Sequence, residues 1–117
     1  MKFLLVFVGG GLGSVVRYLL HLLVPVVGSI PVATLAANIL ASFVIGVGVQ
    51  CIPLQHHLRL LLLTGFCGGL STFSAFSLES FNLLSMQYIF MAMVNMVLNV
   101  ALCLLAVFAG MELGSRV

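Results

Sequence analysis

The chain has 117 residues, of which 63% are hydrophobic and 5% are charged, and its formal net charge is +2. Soluble globular domains carry roughly a quarter charged residues, so the composition excludes that class and indicates a membrane protein. A net charge this small, on basic residues this scattered, also argues against nucleic-acid binding.

Four segments are apolar enough to cross a bilayer, which takes about 20 residues of helix. Turn-forming or polar residues separate them, and no extramembrane domain is expected. We therefore predict a single all-α transmembrane domain over residues 1–117. Its predicted helices cover about residues 3–24, 32–50, 58–84 and 88–111, the third with a break in mid-membrane near 68–71.

The first segment combines small residues with one charge. Gly9 and Gly13, and likewise Gly10 and Ser14, are four residues apart, a spacing that favours close helix contact. The apolar run is longer than a signal-peptide core, so we expect a retained membrane helix. Arg17 lies well inside this segment, where it either attracts anions into a vestibule or extends to the lipid headgroups.

The second segment carries a stripe of small and polar residues at every fourth position: Thr34, Asn38, Ser42 and Gly46. Such residues share one helix face, which inside a bilayer usually lies against the bundle interior or a cavity. Close packing between helices is the alternative for the small ones. Asn38 is interpreted as functional, because a buried amide is costly unless it is satisfied.

The third segment contains the run GFCGGLSTFSAFSLE, residues 65–79. Gly68 and Gly69 weaken the helix, and Ser71 and Thr72 can restart it as caps. A bilayer tolerates broken backbone only where it is buried in protein or lines a water-filled cavity. The break therefore predicts a site where freed backbone groups coordinate an ion.

Beyond the break, helical periodicity places Thr72, Phe73, Phe76, Glu79 and Ser80 on one face about 120° wide. Aromatic rings have electropositive edges that can contact an anion. The alternative is that the two rings pack against another helix. The carboxylate either lies on an ion path or is a structural partner of the arginine in helix one or of a backbone group.

The fourth segment repeats the polar pattern with Asn95, Asn99 and Cys103 on one face. The two amides either donate hydrogen bonds to an anion, as part of a polar track, or hold helices together. Both interpretations are open from the sequence.

Charge and helix number bear on assembly. An even number of crossings puts both termini on one side, together with Lys2, Arg59 and Arg116, against Arg17 on the other. So small a bias allows insertion in both orientations. Four helices are too few to enclose a pore, so we expect an oligomer, most simply a symmetric dimer.

Three motifs resemble those of the Fluc/CrcB family of fluoride channels. They are GGGLGSVVRY at 9–18, TLAANILASFVIG at 34–46 and GFCGGLSTFSAFSLE at 65–79, and the resemblance covers nearly the whole chain. It implies an antiparallel, dual-topology homodimer with two pores in the bacterial inner (plasma) membrane. Such a channel exports fluoride passively from the cytoplasm and gives fluoride resistance.

The resemblance also implies roles for individual residues of the pore. The amide of Asn38 and the rings of Phe73 and Phe76 would line it. The hydroxyls of Thr34 and Ser77 would lie along the ion path.

Four further positions match the family. The resemblance puts the carboxyl of Glu79 on the ion path and Arg17 in the vestibule. It assigns to the backbone carbonyls of Gly68 and Ser71 a structural sodium ion at the dimer interface. Ser71 stands where the family commonly has threonine, which does not matter if only its carbonyl binds the ion.

Two other classes compete with a fluoride channel. A small multidrug-type, proton-coupled transporter also has four helices, but it needs a carboxylate in helix one, which has neither Asp nor Glu. A non-transporting membrane assembly subunit would account for the small-residue packing but not for Asn38, Phe76 and Glu79. An enzyme is not expected, since no nucleophile–base pair or metal cluster is evident in the sequence.

Overall fold

The computed structural model describes all 117 residues, and the chain is built of helices without strands. Helix α1 is Lys2–Leu23 and α2 is Val32–Cys51. The third crossing consists of a helical segment at 57–70, called α3, followed by α4 at Phe73–Ser85. Helix α5 is Ile89–Arg116.

Four helical spans are long and apolar enough to cross a membrane, with mean hydropathies of 1.8, 2.1, 1.5 and 2.3 in chain order. The predicted all-α membrane fold with a broken third crossing is thereby confirmed. Large apolar side chains cover the outer surface, as expected where lipid replaces water.

The break lies at Ser71 and Thr72, whose backbone is extended, with ψ of 151° and 117°. Gly68 is still helical, so the glycines precede the interruption and do not form it. Thr72 begins α4 as its N-cap: its Oγ1 accepts a hydrogen bond of 3.2 Å from the Ala75 N–H.

Small residues bring the helices together in two pairs, α1 with α3 and α2 with α5. Gly9 and Gly13 lie so close to the α3 backbone that a Cβ at either position would overlap a carbonyl oxygen, as predicted for this pair. Gly46 and Gly110 abut in the same way between α2 and α5. In α3 the residues Leu60–Cys67 form a π-helical stretch, a rare conformation that is frequent near functional sites.

Candidate functional site

Asn38 of α2 joins the break in the third crossing to the rest of the bundle. Its Oδ1 accepts a hydrogen bond of 2.8 Å from the Thr72 N–H. Its Nδ2 donates to Asn99 Oδ1 at 3.1 Å and, more weakly, to the Thr72 carbonyl at 3.4 Å. The side-chain amide thus replaces the helical partners that Thr72 lacks.

The bonds of Asn38 continue into a row of buried polar side chains on α5 and α4. Asn99 Nδ2 donates to both the carbonyl and Oδ1 of Asn95, at 3.0 and 3.2 Å. Asn95 is fully buried, and its Nδ2 donates to Ser80 Oγ at 3.0 Å. The two α5 asparagines therefore hold α2, α4 and α5 together, which is one of the two roles that the sequence leaves open.

A cavity of about 270 Å³ opens beside the break. The rings of Phe73 and Phe76 stand at its edge, with centroids 5.4 Å apart and planes tilted by 50°. Phe73 is 78% exposed, so within one chain this side of the cavity has no protein cover. The lining residues are Asn38, Ser42, Ser71, Thr72, Phe73, Phe76, Asn99, Val100 and Cys103.

Glu79 lies one turn beyond Phe76, among a second group of polar side chains. Oγ1 of the fully buried Thr34 lies 2.5 Å from Glu79 Oε1, within hydrogen-bonding distance. Glu79 Oε2 is buried and has no hydrogen-bond partner. The residue lines a further cavity of about 340 Å³, together with Tyr88.

His21 belongs to this group and was missed as a site residue by sequence reasoning. Its Nε2 is 3.1 Å from Thr34 Oγ1, and its Nδ1 donates to the Arg17 carbonyl at 2.9 Å. A histidine in the last turn of a helix is ordinarily solvated, which hid the role. The available signal was its position one turn after Arg17, on the same helix face.

Arg17 and Ser77 lie outside the two cavities. Arg17 Nε donates to the Gly69 carbonyl at 3.1 Å, which fixes α1 to the last turn of α3. Arg17 forms no ion pair with Glu79, since the one salt bridge of the chain joins Arg116 to Glu112. Ser77 is exposed on α4.

The backbone carbonyls of Gly68 and Ser71 have lost their helical partners. In an unbroken helix they would accept from Thr72 and Ala75, four residues on. Thr72 N–H bonds Asn38 instead, and Ala75 N–H bonds the Thr72 hydroxyl. Gly68 is also exposed, and carbonyl oxygens without a helical partner are ligands of the type that hard cations take.

These features define a class: a small multi-pass membrane protein whose polar groups gather at a broken helix, as in channels and transporters. The chain belongs to the CrcB family, since the family model described as "CrcB-like protein, Camphor Resistance (CrcB)" matches residues 4–111.

Individual relatives match most of the chain, and each bears the name fluoride-specific ion channel FluC. One from Methanocaldococcus jannaschii is 41% identical over 93% of this chain and 90% of its own length. One from Pyrococcus furiosus is 45% identical over 96% of this chain and 94% of its own length. One from Serratia proteamaculans is 46% identical over 84% of this chain and 81% of its own length. This family of named ion channels confirms the expectation that the chain is not an enzyme.

We predict that Asn38→Ala speeds amide exchange at the break. Loss of the acceptor leaves the Thr72 N–H unsatisfied, which costs about 1–3 kcal/mol, or roughly tenfold to hundredfold in exchange rate. Hydrogen–deuterium exchange of the protein in detergent, followed in peptides that cover residues 70–76, measures this exchange rate. Ser42→Ala, one turn along α2 on the same cavity, is the matched control. Equal exchange in both variants would contradict the assigned role of Asn38.

Proposed function

We propose that this protein is a fluoride-selective channel that lets fluoride leave the cytoplasm down its electrochemical gradient. The observation that carries the proposal is the cavity at the α3–α4 break, in the middle of the third crossing, which brings amides, hydroxyls and two aromatic rings together. The names of relatives that match nearly the whole chain support the same function.

The chemistry of the cavity suits a small, strongly hydrated anion. Asn38 Nδ2 has one weak bond, to the Thr72 carbonyl, that an anion can displace. The ring edges of Phe73 and Phe76 and nearby hydroxyls replace further water contacts. A larger halide approaches all these donors less closely, because Asn38 is held in place by its bonds to Thr72 and Asn99.

The remaining polar residues continue the route along α4. Glu79 lies one turn past Phe76, with the Thr34 hydroxyl on its carboxyl group. Ser77 offers an exposed hydroxyl on the same helix. Arg17 draws anions towards the vestibule with the guanidinium nitrogens that do not bond Gly69.

A second row of polar groups runs beside this route. Ser80, Asn95 and Asn99 are joined by hydrogen bonds, and Cys103 lies on the cavity wall next to Asn99. As a polar track, the row keeps the amide of Asn38 polarised and oriented towards the cavity.

Passive export follows from the acid–base chemistry of fluoride. Neutral HF crosses lipid, ionises in the more alkaline cytoplasm and is trapped there as the anion. A fluoride-selective pore releases it without any energy source. This places the protein in the cell's inner (plasma) membrane, where that gradient exists.

The working unit is an antiparallel homodimer. Phe73 is exposed and the cavity is open in one chain, so a second copy is needed to enclose the pore. Three basic residues lie on one side of the predicted membrane topology, and Arg17 lies on the other; the three are Lys2, Arg59 and Arg116. This charge bias is weak enough for the chain to insert in both orientations. Two pores related by the dimer axis then follow from symmetry.

A structural sodium ion fits at the dimer interface. The carbonyls of Gly68 and Ser71 would hold it, because both have lost their helical partners to side chains. Two oxygens are fewer than a hard cation needs, and the second copy would supply the same pair. The ion would contribute positive charge that offsets the exposed backbone oxygens.

We predict that reconstituted protein releases fluoride from proteoliposomes and that Phe76→Ile and Asn38→Ser each slow release by roughly tenfold to hundredfold. Losing one close donor to a charged group costs about 1.5–3 kcal/mol. A fluoride electrode measures the rate. Phe81→Ile, at an exposed position of α4 outside the cavity, is the matched control. No fluoride release from the parent would refute the function, and unchanged release from both variants would refute the residue assignment.

We predict that sodium stabilises the purified dimer. Ligand at about a hundredfold excess over its Kd adds about 2.7 kcal/mol to stability. Size-exclusion chromatography after heating, in sodium or in N-methyl-D-glucamine buffer, measures the surviving dimer. Ser71→Ala keeps the carbonyl and therefore retains the sodium dependence. Identical survival in both buffers would count against the ion site.

We predict that both orientations occur in one membrane. A Gln55→Cys variant, made with the three native cysteines replaced, carries a single thiol in the exposed loop between α2 and α3. In sealed vesicles an impermeant maleimide should label about half of it, and the rest after permeabilisation. A Lys pair added beside Gln55 is the one-sided control. Complete labelling of the parent from one side would rule out dual topology.

A further inference from the structure

His21, Thr34 and Glu79 form an unbroken row of hydrogen-bonding groups from the end of α1 to the middle of α4. The row begins at the Arg17 carbonyl, which is 2.9 Å from His21 Nδ1. His21 Nε2 is 3.1 Å from Thr34 Oγ1, which in turn is 2.5 Å from Glu79 Oε1. His21 is exposed near the end of α1, whereas Thr34 is fully buried, so the row runs from the helix end to a buried carboxyl oxygen.

Counting hydrogens restricts the protonation of this row. A carbonyl only accepts, so His21 Nδ1 must carry a hydrogen. Thr34 has a single hydroxyl hydrogen, which cannot bond both His21 and Glu79. If that hydrogen points to Glu79, His21 must donate from Nε2 as well and is therefore an imidazolium. If it points to His21, Glu79 must be a neutral acid that donates to Thr34.

Both arrangements contain the same number of protons and differ by a shift of two hydrogens along the row. Removing one more proton leaves a neutral imidazole and an ionised carboxylate, and one of the three bonds is then lost. The row with all three hydrogen bonds is therefore the state in which the His21–Glu79 pair has no net charge.

We propose that His21 and Glu79 form a proton-binding site, in which one proton is shared through the hydroxyl of Thr34. The ligand is a proton, which enters the row at the exposed His21 near the end of α1. The other side of the carboxyl group supports the assignment: Glu79 Oε2 is buried without a partner, an arrangement that is costly for a bare carboxylate.

Few other charged or titratable groups lie near the row. On α1, the Arg17 side chain is turned to the Gly69 carbonyl, and Tyr18 is exposed. Tyr88 lines the cavity beside Glu79. Helix α2 has no charged residue, and the α5 groups facing α4 are amides. The shared proton is therefore what neutralises the carboxyl group.

Taken with the proposed function, on which this step rests, the site makes fluoride passage depend on pH. With the proton bound, the pair is neutral and an anion can pass. Without it, a carboxylate on the ion path repels fluoride, by an amount on the order of tenfold to hundredfold in rate at close range. Passage is favoured at low pH and falls as the shared proton is lost at higher pH.

The transport test measures fluoride release from proteoliposomes at equal internal and external pH, between about pH 5.5 and 9. Protein-free liposomes correct for HF leakage. We expect release by the parent to fall about tenfold or more across this range. His21→Gln keeps a polar group but cannot titrate, so its profile should be flat, whereas His57→Gln, at the exposed start of α3, should keep the parent's profile. A flat profile in the parent, or an unchanged fall in His21→Gln, would overturn the link to transport.

Proton sharing can be measured without transport. The chain has only two side-chain carboxyl groups, Glu79 and Glu112. Carboxyl carbon NMR of glutamate-labelled protein in lipid therefore shows two signals, and Glu112→Gln assigns them. We expect the Glu79 signal to titrate together with the His21 ring and to change its midpoint in His21→Gln. Independent titration of the two groups would overturn the site, whereas coupled titration without any fluoride release would overturn the proposed function alone.

Discussion

The hydrogen bond from the Thr72 N–H to Asn38 Oδ1 is the interaction on which the site depends. Two extended residues interrupt a membrane crossing, and in lipid each unsatisfied backbone group costs several kcal/mol. Asn38 Oδ1 accepts a hydrogen bond from the Thr72 N–H, and Arg17 donates one to the carbonyl of Gly69. The Thr72 hydroxyl accepts one from the N–H of Ala75. The carbonyls of Gly68 and Ser71 lose their helical partners without a side-chain replacement, and the proposed sodium site uses these two oxygens.

Asn38 can reach the break because the helices around it approach closely. Gly46 and Gly110 bring α2 and α5 together, and this contact carries the amides of α5 to within hydrogen-bonding distance of Asn38. Gly9 and Gly13 do the same for α1 and α3. A membrane interior offers no hydrophobic driving force between helices, so packing of small residues and buried amide bonds must supply the association. The same contacts that stabilise the bundle therefore also position the site.

Much of this arrangement could be predicted from local sequence. Crossing number follows from apolar length, and the break from the hydroxyl caps at Ser71 and Thr72, although the glycine pair before them stays helical. The partners of the polar side chains could not be predicted, because they depend on the register between helices that are distant in sequence. Glu79 is the clearest case: pairing with Arg17 was one alternative, but the structure gives it Thr34 and, through Thr34, His21. A histidine near a helix end is ordinarily solvated, and the position of His21 one turn after Arg17 was the only local signal of its role.

The two ends of the Asn38 amide have different tasks in the proposed channel, and this division bears on selectivity. The oxygen holds the break through a bond of 2.8 Å, whereas the nitrogen makes the weak bond of 3.4 Å to the Thr72 carbonyl. An anion can compete only for the nitrogen, so it exchanges one poor bond without loosening the backbone. A cation would have to compete for the oxygen, and displacing that bond would leave the Thr72 N–H unsatisfied in lipid. The architecture that stabilises the break thus favours anions before any contact with the aromatic rings is made.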